Sequence, residues 1–309
     1  MKSVKLNFGL LKNHKQQGVA IIMVLLIVAI ATSVAAYMAL QQSLWQRQVE
    51  SQFERAQARQ LGLAGIDWAR AVLAEDKRGN NVDHGKEIWN LVLPPIPVEN
   101  GEVIGLIEDR QGLFNLNNVN ATNVSEFDDL LTTLGLPPGL AAALVDWIDA
   151  NNDPEPGGAE DGYYLTLPQP RRAANKPLVE LGDLMNVKGF DSSTIEKLRK
   201  SVSVLPASVK TVNVNFAPAA VLKAVFGLSL SDANLIVEQR KIQPFLDKKD
   251  FEIILKQKGL PLMTGRVEIQ SEYFWVTGTA IVGKSQVETQ ALLNRGAQPW
   301  PTVVWQSVR

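Results

Sequence analysis

The chain has 309 residues, with 46% apolar and 20% charged residues, enough to bury a sizeable core and too ordered a composition for global disorder. It has no cysteine, which excludes disulfides, zinc–thiolate sites and thiol nucleophiles. Its net charge of −1 hides an asymmetry: residues 1–40 carry four lysines and no acid, leaving 27 basic against 32 acidic residues in the remainder. Such a body is poorly suited to coating phosphate backbones. With only His14 and His84, a Ser-His-Asp site would have to use His84 in a turn-like stretch, where a solvated loop histidine is the plainer reading.

The N-terminal segment reads in two parts. Lys2, Lys5, Lys12 and Lys15 lead into Gln16-Gln17-Gly18, and Val19–Leu40 follows without a charge. Those 22 residues make about 33 Å of helix, enough to cross a hydrocarbon core. The flanking lysines place the N-terminus in the cytoplasm and the rest outside it. A cleaved signal peptide ending near Ala31 or Ala35 is the alternative, but no proline occurs from Val19 to Leu93. The apolar recurrence at Trp45, Val49, Phe53, Ala56, Leu63, Ile66 and Leu73 predicts one helix running from Val19 to about Glu75. Gly62 and Gly65 are the places where it is expected to bend or enter a globular head.

Leu91–Pro97 breaks this helix, and Val98–Glu108 reads as a strand. Short helical runs between Pro/Gly turns follow from Asn117 to Val202. An internal repeat lies in this region: residues 134–146 align without gaps with residues 226–238, and each copy follows an Asn-apolar-Asn triplet, Asn115–Asn117 and Asn213–Asn215. Leu184–Asp191 has the same helix–glycine–helix pattern. Tyr273–Val282, Gln286–Leu293 and Thr302–Val308 are β-branched and aromatic, with a hairpin at Gly283-Lys284. The fold expected is α+β, a long helix on a small antiparallel sheet with helical material inserted before the last strands.

Asp146–Tyr164 is the densest oxygen cluster. Asp149, Asn151, Asp153 and Glu160 fall at the 1, 3, 5, 12 spacing of an EF-hand calcium loop, with Asp161 adjacent. Pro154 stands where the turn glycine belongs, so the expectation is a calcium-binding loop and not an EF-hand fold. No nucleophile or third positioning group accompanies the acids, which argues against a hydrolase.

A basic leader ending in glycine, followed by an uncharged helix that continues into a globular body, resembles a type IV prepilin or pseudopilin. Asp109-Arg110-Gln111-Gly112-Leu113-Phe114-Asn115-Leu116-Asn117, Asp146-Trp147-Ile148-Asp149 with Gly158-Ala159-Glu160-Asp161, and Val187-Lys188-Gly189 resemble the minor pseudopilin K family of type II secretion systems along essentially the whole chain. The resemblance implies a type IV pilin-like fold with a large inserted helical domain of SAM-like or helix-hairpin-helix character, and calcium in that insertion. It implies prepilin-peptidase cleavage between Gly18 and Val19, methylation of the new N-terminus, and retention of the helix in the inner membrane with the head periplasmic. It further implies a tip complex with minor pseudopilins I and J, with H and the major pseudopilin G as neighbours. Met23 stands at the fifth mature position, where most of the superfamily has a glutamate that neutralises the neighbouring subunit's α-ammonium; a subunit without it suits the apex of a filament.

The divisions expected are a leader (1–18), a transmembrane segment (19–40), pseudopilin helix and first strands (41–116), an inserted helical domain with the calcium loop (117–205), a second SAM-like unit (206–265) and the strands that complete the sheet (266–309). The competing reading is a membrane-tethered DNA-uptake receptor, because helix-hairpin-helix turns often hold DNA phosphates. Pro137-Pro138 and Ser229-Leu230 stand where an open amide cradle is wanted, with Lys223 and Arg240 the bases flanking the second turn. No nucleic-acid partner is expected.

Overall fold

The structure is a computed structural model, and it describes residues 17–309 apart from Asn80, Leu93, Pro138, Thr264 and Ala297. The leader up to Gln16, His14 included, lies outside the described residues. The chain divides after Gln57 into two units. In the first, residues 17–57 belong to helix α1, which runs unbroken from Gln17 to Gly79. Gly18, Val19 and Met23 lie in its first turns, and the apolar side chains from Val19 to Leu40 are exposed. Absence of proline and of side-chain interruption lets the helix persist, and Lys77 and Arg78 complement the dipole at its C-terminal end.

The second unit holds a five-stranded antiparallel sheet in the order β1-β2-β7-β8-β9: β1 is Ile96–Val98, β2 Gly101–Asp109, β7 Tyr273–Val282, β8 Ser285–Asn294 and β9 Thr302–Val308. Gly283, at a left-handed φ of 55°, turns β7 into β8 as the sequence predicts. Strand alternation sends Phe274, Val276, Ala280 and Val282 of β7, with Val287, Ala291 and Leu293 of β8, onto Ala58, Ile66, Ala69 and Leu73 of α1. Each such large side chain contributes about 1.5–3 kcal/mol by leaving water. Gly62 and Gly65 do not interrupt α1. Gly62 is instead the point of closest approach: a Cβ there would lie 2.5 Å from Thr289 Cγ2 of β8.

Among the described residues, all the remaining α-helices lie between β2 and β7, in two copies of one plan. The first opens with β3 (Phe114–Asn115), continues through α2 (Val124–Thr133), α3 (Leu140–Ile148), α4 (Asp161–Tyr164) and α5 (Ser192–Leu198), and closes with β4 (Val202–Ser203), which pairs parallel to β3. The second opens with β5 (Val212–Asn213), continues through α6 (Ala219–Phe226), α7 (Leu230–Ile242) and α8 (Lys248–Gln257), and closes with β6 (Val267–Glu268), parallel to β5. Phe114–Asn115 and Val267–Glu268 therefore belong to the helical units, and the insertion spans residues 110–272, wider than the expected 117–265. Two-residue ladders carry no periodicity by which a sequence could reveal them.

The repeated asparagines hold each copy shut. Asn117 Nδ2 donates to the Leu178 and Leu205 carbonyls (3.0 Å each), and its Oδ1 accepts from Leu178 N–H (2.8 Å). Asn215 repeats this with Phe245, donating to its carbonyl and accepting from its N–H at 2.9 Å. Asn115 and Asn213 each accept from the amide two residues on. Phe127, Leu144, Tyr164 and Phe226 and Phe251 share one continuous core beneath both copies.

Candidate functional site

The acidic loop starts where α3 ends. Asp146, on the last turn, is fully buried; its Oδ1 accepts from Glu155 N–H at 3.1 Å, and Gly158 lies so close that a Cβ would sit 1.9 Å from Oδ2. Asp149 caps α3 and its Oδ1 accepts from Asn151 N–H (3.1 Å); Asn151 Oδ1 in turn accepts from Asp153 N–H (2.7 Å). These successive side-chain turns wind the loop tightly. Its left-handed residue is Gly157, φ 91°, not position 6 of an EF-hand, where Pro154 stands. Asn175 braces the loop from outside, donating to the Asn151 carbonyl and to Asn152 Oδ1.

Glu160 precedes α4 without capping it. Only 4% of the residue is exposed, and neither side-chain oxygen has a hydrogen-bond partner. Burial, followed by the charges of Asp146, Asp149 and Asp161, pushes its carboxyl up to about 7. Burial also raises Asp146, whose Oδ2 lacks a partner as well. Asp161 differs: it accepts from Ala173 N–H (3.0 Å) and pairs with Arg172 (3.3 Å), so it fastens a neighbouring segment. Of the sequence candidates, Asp149 and Asp161 lie near enough for their charges to act on Glu160, as does Asp146, whereas Asn151 and Asp153 are exposed and engaged in the turns of the loop. Asp146 was not among the sequence candidates; its place one helical turn before Asp149 is the signal that could have found it.

Lys188 gives the Val187-Lys188-Gly189 motif its role. Its Nζ donates to the Gly158 carbonyl (2.9 Å) and lies 5.0 Å from the Tyr163 ring centre, and its N–H bonds Tyr164 Oη. Asp109-Arg110-Gln111-Gly112 forms the neck of the insertion: Asp109 Oδ1 accepts from Gly112 N–H, and Gln111 reaches Thr211 (2.7 Å) and Glu272 N–H (2.9 Å).

Sequence reasoning missed a second acidic cluster. Asp76, Asp83 and Glu87 bring three carboxylate oxygens within 4.8 Å of one another. Arg295 answers it, pairing with Asp76 (2.6 Å) and Asp83 and donating to the Ser271 carbonyl. Glu87 accepts from Trp89 Nε1 (2.8 Å) and His84 N–H (3.1 Å), and burial pushes it up to about 7. This is a buried ionic hub that joins the end of α1 to the sheet, assembled from residues too distant in sequence to be linked beforehand.

The bases beside the second repeat's turn are engaged within the fold. Arg240 Nη1 donates to the Val214 carbonyl, and Lys223 lies 3.6 Å from Asp129. The turn itself closes through Ser229, which caps α7 by accepting from Asp232 N–H.

Comparison with known proteins follows the same divisions. Two family profiles described as type II secretion system (T2SS), protein K, match residues 112–207 and 212–274, one over each inserted unit. The type II secretion system protein K of Pseudomonas aeruginosa is 35% identical over 299 residues, covering 91% of this chain and 89% of its own length. The chain belongs to the type II secretion system protein K family. Another member, from Pectobacterium carotovorum subsp. carotovorum, is 31% identical and covers 92% of this chain and 94% of itself. A chain in the crystal structure of the GspK-GspI-GspJ complex from enterotoxigenic Escherichia coli superposes with a TM-score of 0.70 at 22% identity, over 85% of this chain and 99% of that one. The protein K fold is thus a long N-terminal helix, an antiparallel sheet and an inserted helical domain. The uncharged start of α1 fits a single-pass membrane anchor in a pseudopilin of this family.

Proposed function

We propose that this protein caps the periplasmic pseudopilus, forming a tip complex with minor pseudopilins I and J that starts pseudopilus assembly and so supports export of folded proteins across the outer membrane. The observation that carries this reading is α1: one unbroken helix supplies both an exposed, uncharged 22-residue run and the face that packs on the pilin-like sheet. The likeness to a chain of a GspK-GspI-GspJ complex supports the choice of partners. H and the major pseudopilin G are the neighbours further down. Met23 places no acid at the fifth mature position, which suits a subunit with none above it. Full-length protein co-expressed with I and J tests the proposal: a stable three-protein complex is expected, and failure to co-purify with either would end it.

The helix is retained and the peptidase cuts between Gly18 and Val19, followed by methylation, leaving the N-terminus on the cytoplasmic side. N-terminal sequencing of the membrane form reads this directly; a mature start at Thr32 or Ala36 would contradict it. Calcium is held by Glu160, Asp149, Asn151 and Asp153, with Asp161 fastening the adjoining segment. Neutralising the orphaned carboxylates rigidifies the loop. Calorimetry with calcium on the purified protein, before and after chelation, checks it, and an unchanged melting temperature would remove it. Engagement of Arg240 and Lys223 within the fold supports assembly over DNA uptake, and retention of the protein by DNA in a low-salt gel shift would favour the alternative.

A further inference from the structure

On the sheet face turned away from α1, Trp275, Leu292 and Trp305 stand in register across β7, β8 and β9. The two indoles lean together over the buried Leu292 and stack, with ring centres 5.3 Å apart and planes 18° apart. A bulge at Leu292/Leu293 shifts the β9 register there, with Val303 opposite Leu293 and Trp305 opposite Leu292. The indole pair floors a groove of about 380 Å³, walled on the other side by the segment around Glu180 and Arg199 of the first inserted unit.

Cationic groups ring this groove. Arg110, Arg199 and Arg309 line it; Arg110 lies 5.4 Å over the Trp275 ring, and Arg199 shares its guanidinium with Glu196 at 2.9 Å in an exposed pair that an incoming carboxylate can exchange. Glu180 is the acid among the lining residues, and its side chain is committed to capping the helical turn at Leu181–Asn186. Arg110 pairs with Glu108 at 3.1 Å, yet its Nε–H is buried without an acceptor. Burial lowers the Arg110 pKa from its usual value, with Glu108 and Asp109 opposing this and Arg199 adding to it. β9 is the outer strand of the sheet, so its far edge presents backbone donors and acceptors beside the groove, with Val303 and Val304 exposed.

We propose that this groove receives an extended acidic segment of a partner protein, which pairs its backbone with the edge of β9. Side chains at alternate positions then face the groove, setting carboxylates on the arginines and an apolar residue against the indoles. Charge complementarity selects an acid-bearing chain, and the free edge selects a peptide over a small anion. Peptide binding at this groove and co-purification with I and J are separate measurements, so either reading can fail without the other.

The test uses the full chain in a polyoxyethylene detergent, whose headgroup offers no sugar to the indoles, and calorimetric titration with acetyl-Glu-Thr-Leu-Thr-Glu-Thr-amide. Binding is expected, weakening about tenfold in the Arg199→Ala/Arg309→Ala double variant and falling with added salt. Trp305→Ala is expected to weaken it similarly; the arginine pair, both exposed side chains, keeps the test sound should that variant misfold. Equal binding of the peptide with lysine in place of glutamate would overturn the proposal. Equal affinity for citrate, or for the peptide N-methylated at alternate amides, would overturn it too, the first by reducing the site to a simple anion subsite and the second by removing the strand pairing.

Discussion

The two inserted units share an entrance, a clamp and an exit, yet differ in what they carry between. Each begins with a short strand and an Asn-x-Asn step, turns through a left-handed glycine, and closes with a parallel strand from far along the chain. In the second unit the chain passes from α7 through Phe245 to α8 and back to the sheet. The first inserts the acidic loop and α4 between the equivalent helix and the clamped residue, Leu178. The scaffold is thus set by backbone-directed asparagines, and the orphaned carboxylate oxygens of Asp146 and Glu160 flank the stretch that only one copy has.

The clamps give the largest expected effect. Asn117→Ala leaves the Leu178 amide and the Leu178 and Leu205 carbonyls without their partner, and is expected to cost about 3 kcal/mol. Asn215→Ala orphans the Phe245 pair alone and should cost about 2 kcal/mol. Urea unfolding of the two variants checks the order; a reversed order would break the equivalence of the copies. The glycines separate the units next. Gly158→Ala drives a methyl into the Asp146 carboxylate, at a cost of about 2 kcal/mol with loss of any calcium response. Gly227→Ala, in the second unit, meets only Leu260 Cδ2 at an ordinary 3.6 Å, and its φ of 72° should cost about 1 kcal/mol.

A pH-dependent background from the neck must be subtracted before the units are compared. Burial raises Asp109 from 3.8 to about 7, so the folded state holds its proton where the unfolded state has released it. Stability from this group is therefore present at low pH and lost as pH rises through that window. Asp109→Asn, which keeps an oxygen for Gly112 N–H, is expected to flatten the decline and gain on the order of 1 kcal/mol at pH 8, read from melting temperatures at pH 5 and 8. A modest effect sharpens the contrast most. Calcium at ten times its dissociation constant should add about 1.4 kcal/mol, and Glu160→Gln should abolish that gain while leaving the Asn215 clamp's contribution unchanged.

Much of this was legible beforehand because it is periodic. The uncharged run, the second half of the amphipathic stripe from Leu63 to Leu73, the Gly283 hairpin and the ungapped repeat each impose a pattern that survives into the fold, whereas Trp45, Val49, Phe53 and Ala56 of the same stripe are exposed. The acidic loop was legible as spacing, but spacing does not say which acids are already engaged: Asp161 serves Arg172 and Ala173, while Glu160 is buried alone. Arg295 and its acids were invisible, since an ion pair spanning some 200 residues leaves no local trace. The same holds for the indole pair, which depends on a register shift in β9 that no turn residue announces.

The register of β2 and β7 has a consequence for how such a head is put together. Asp109 lies directly opposite Phe274, and Arg110 N–H still bonds the Tyr273 carbonyl, so the whole of residues 110–272 departs and returns through one rung of the ladder. Splicing β2 to β7 with a short hairpin would leave the helix-on-sheet platform every strand neighbour it has, and would cost it the props that this cassette lends from the side, among them the Ile269 carbonyl on Asp83 N–H, the Ser271 carbonyl on Arg295 and the Phe216 ring against Trp89.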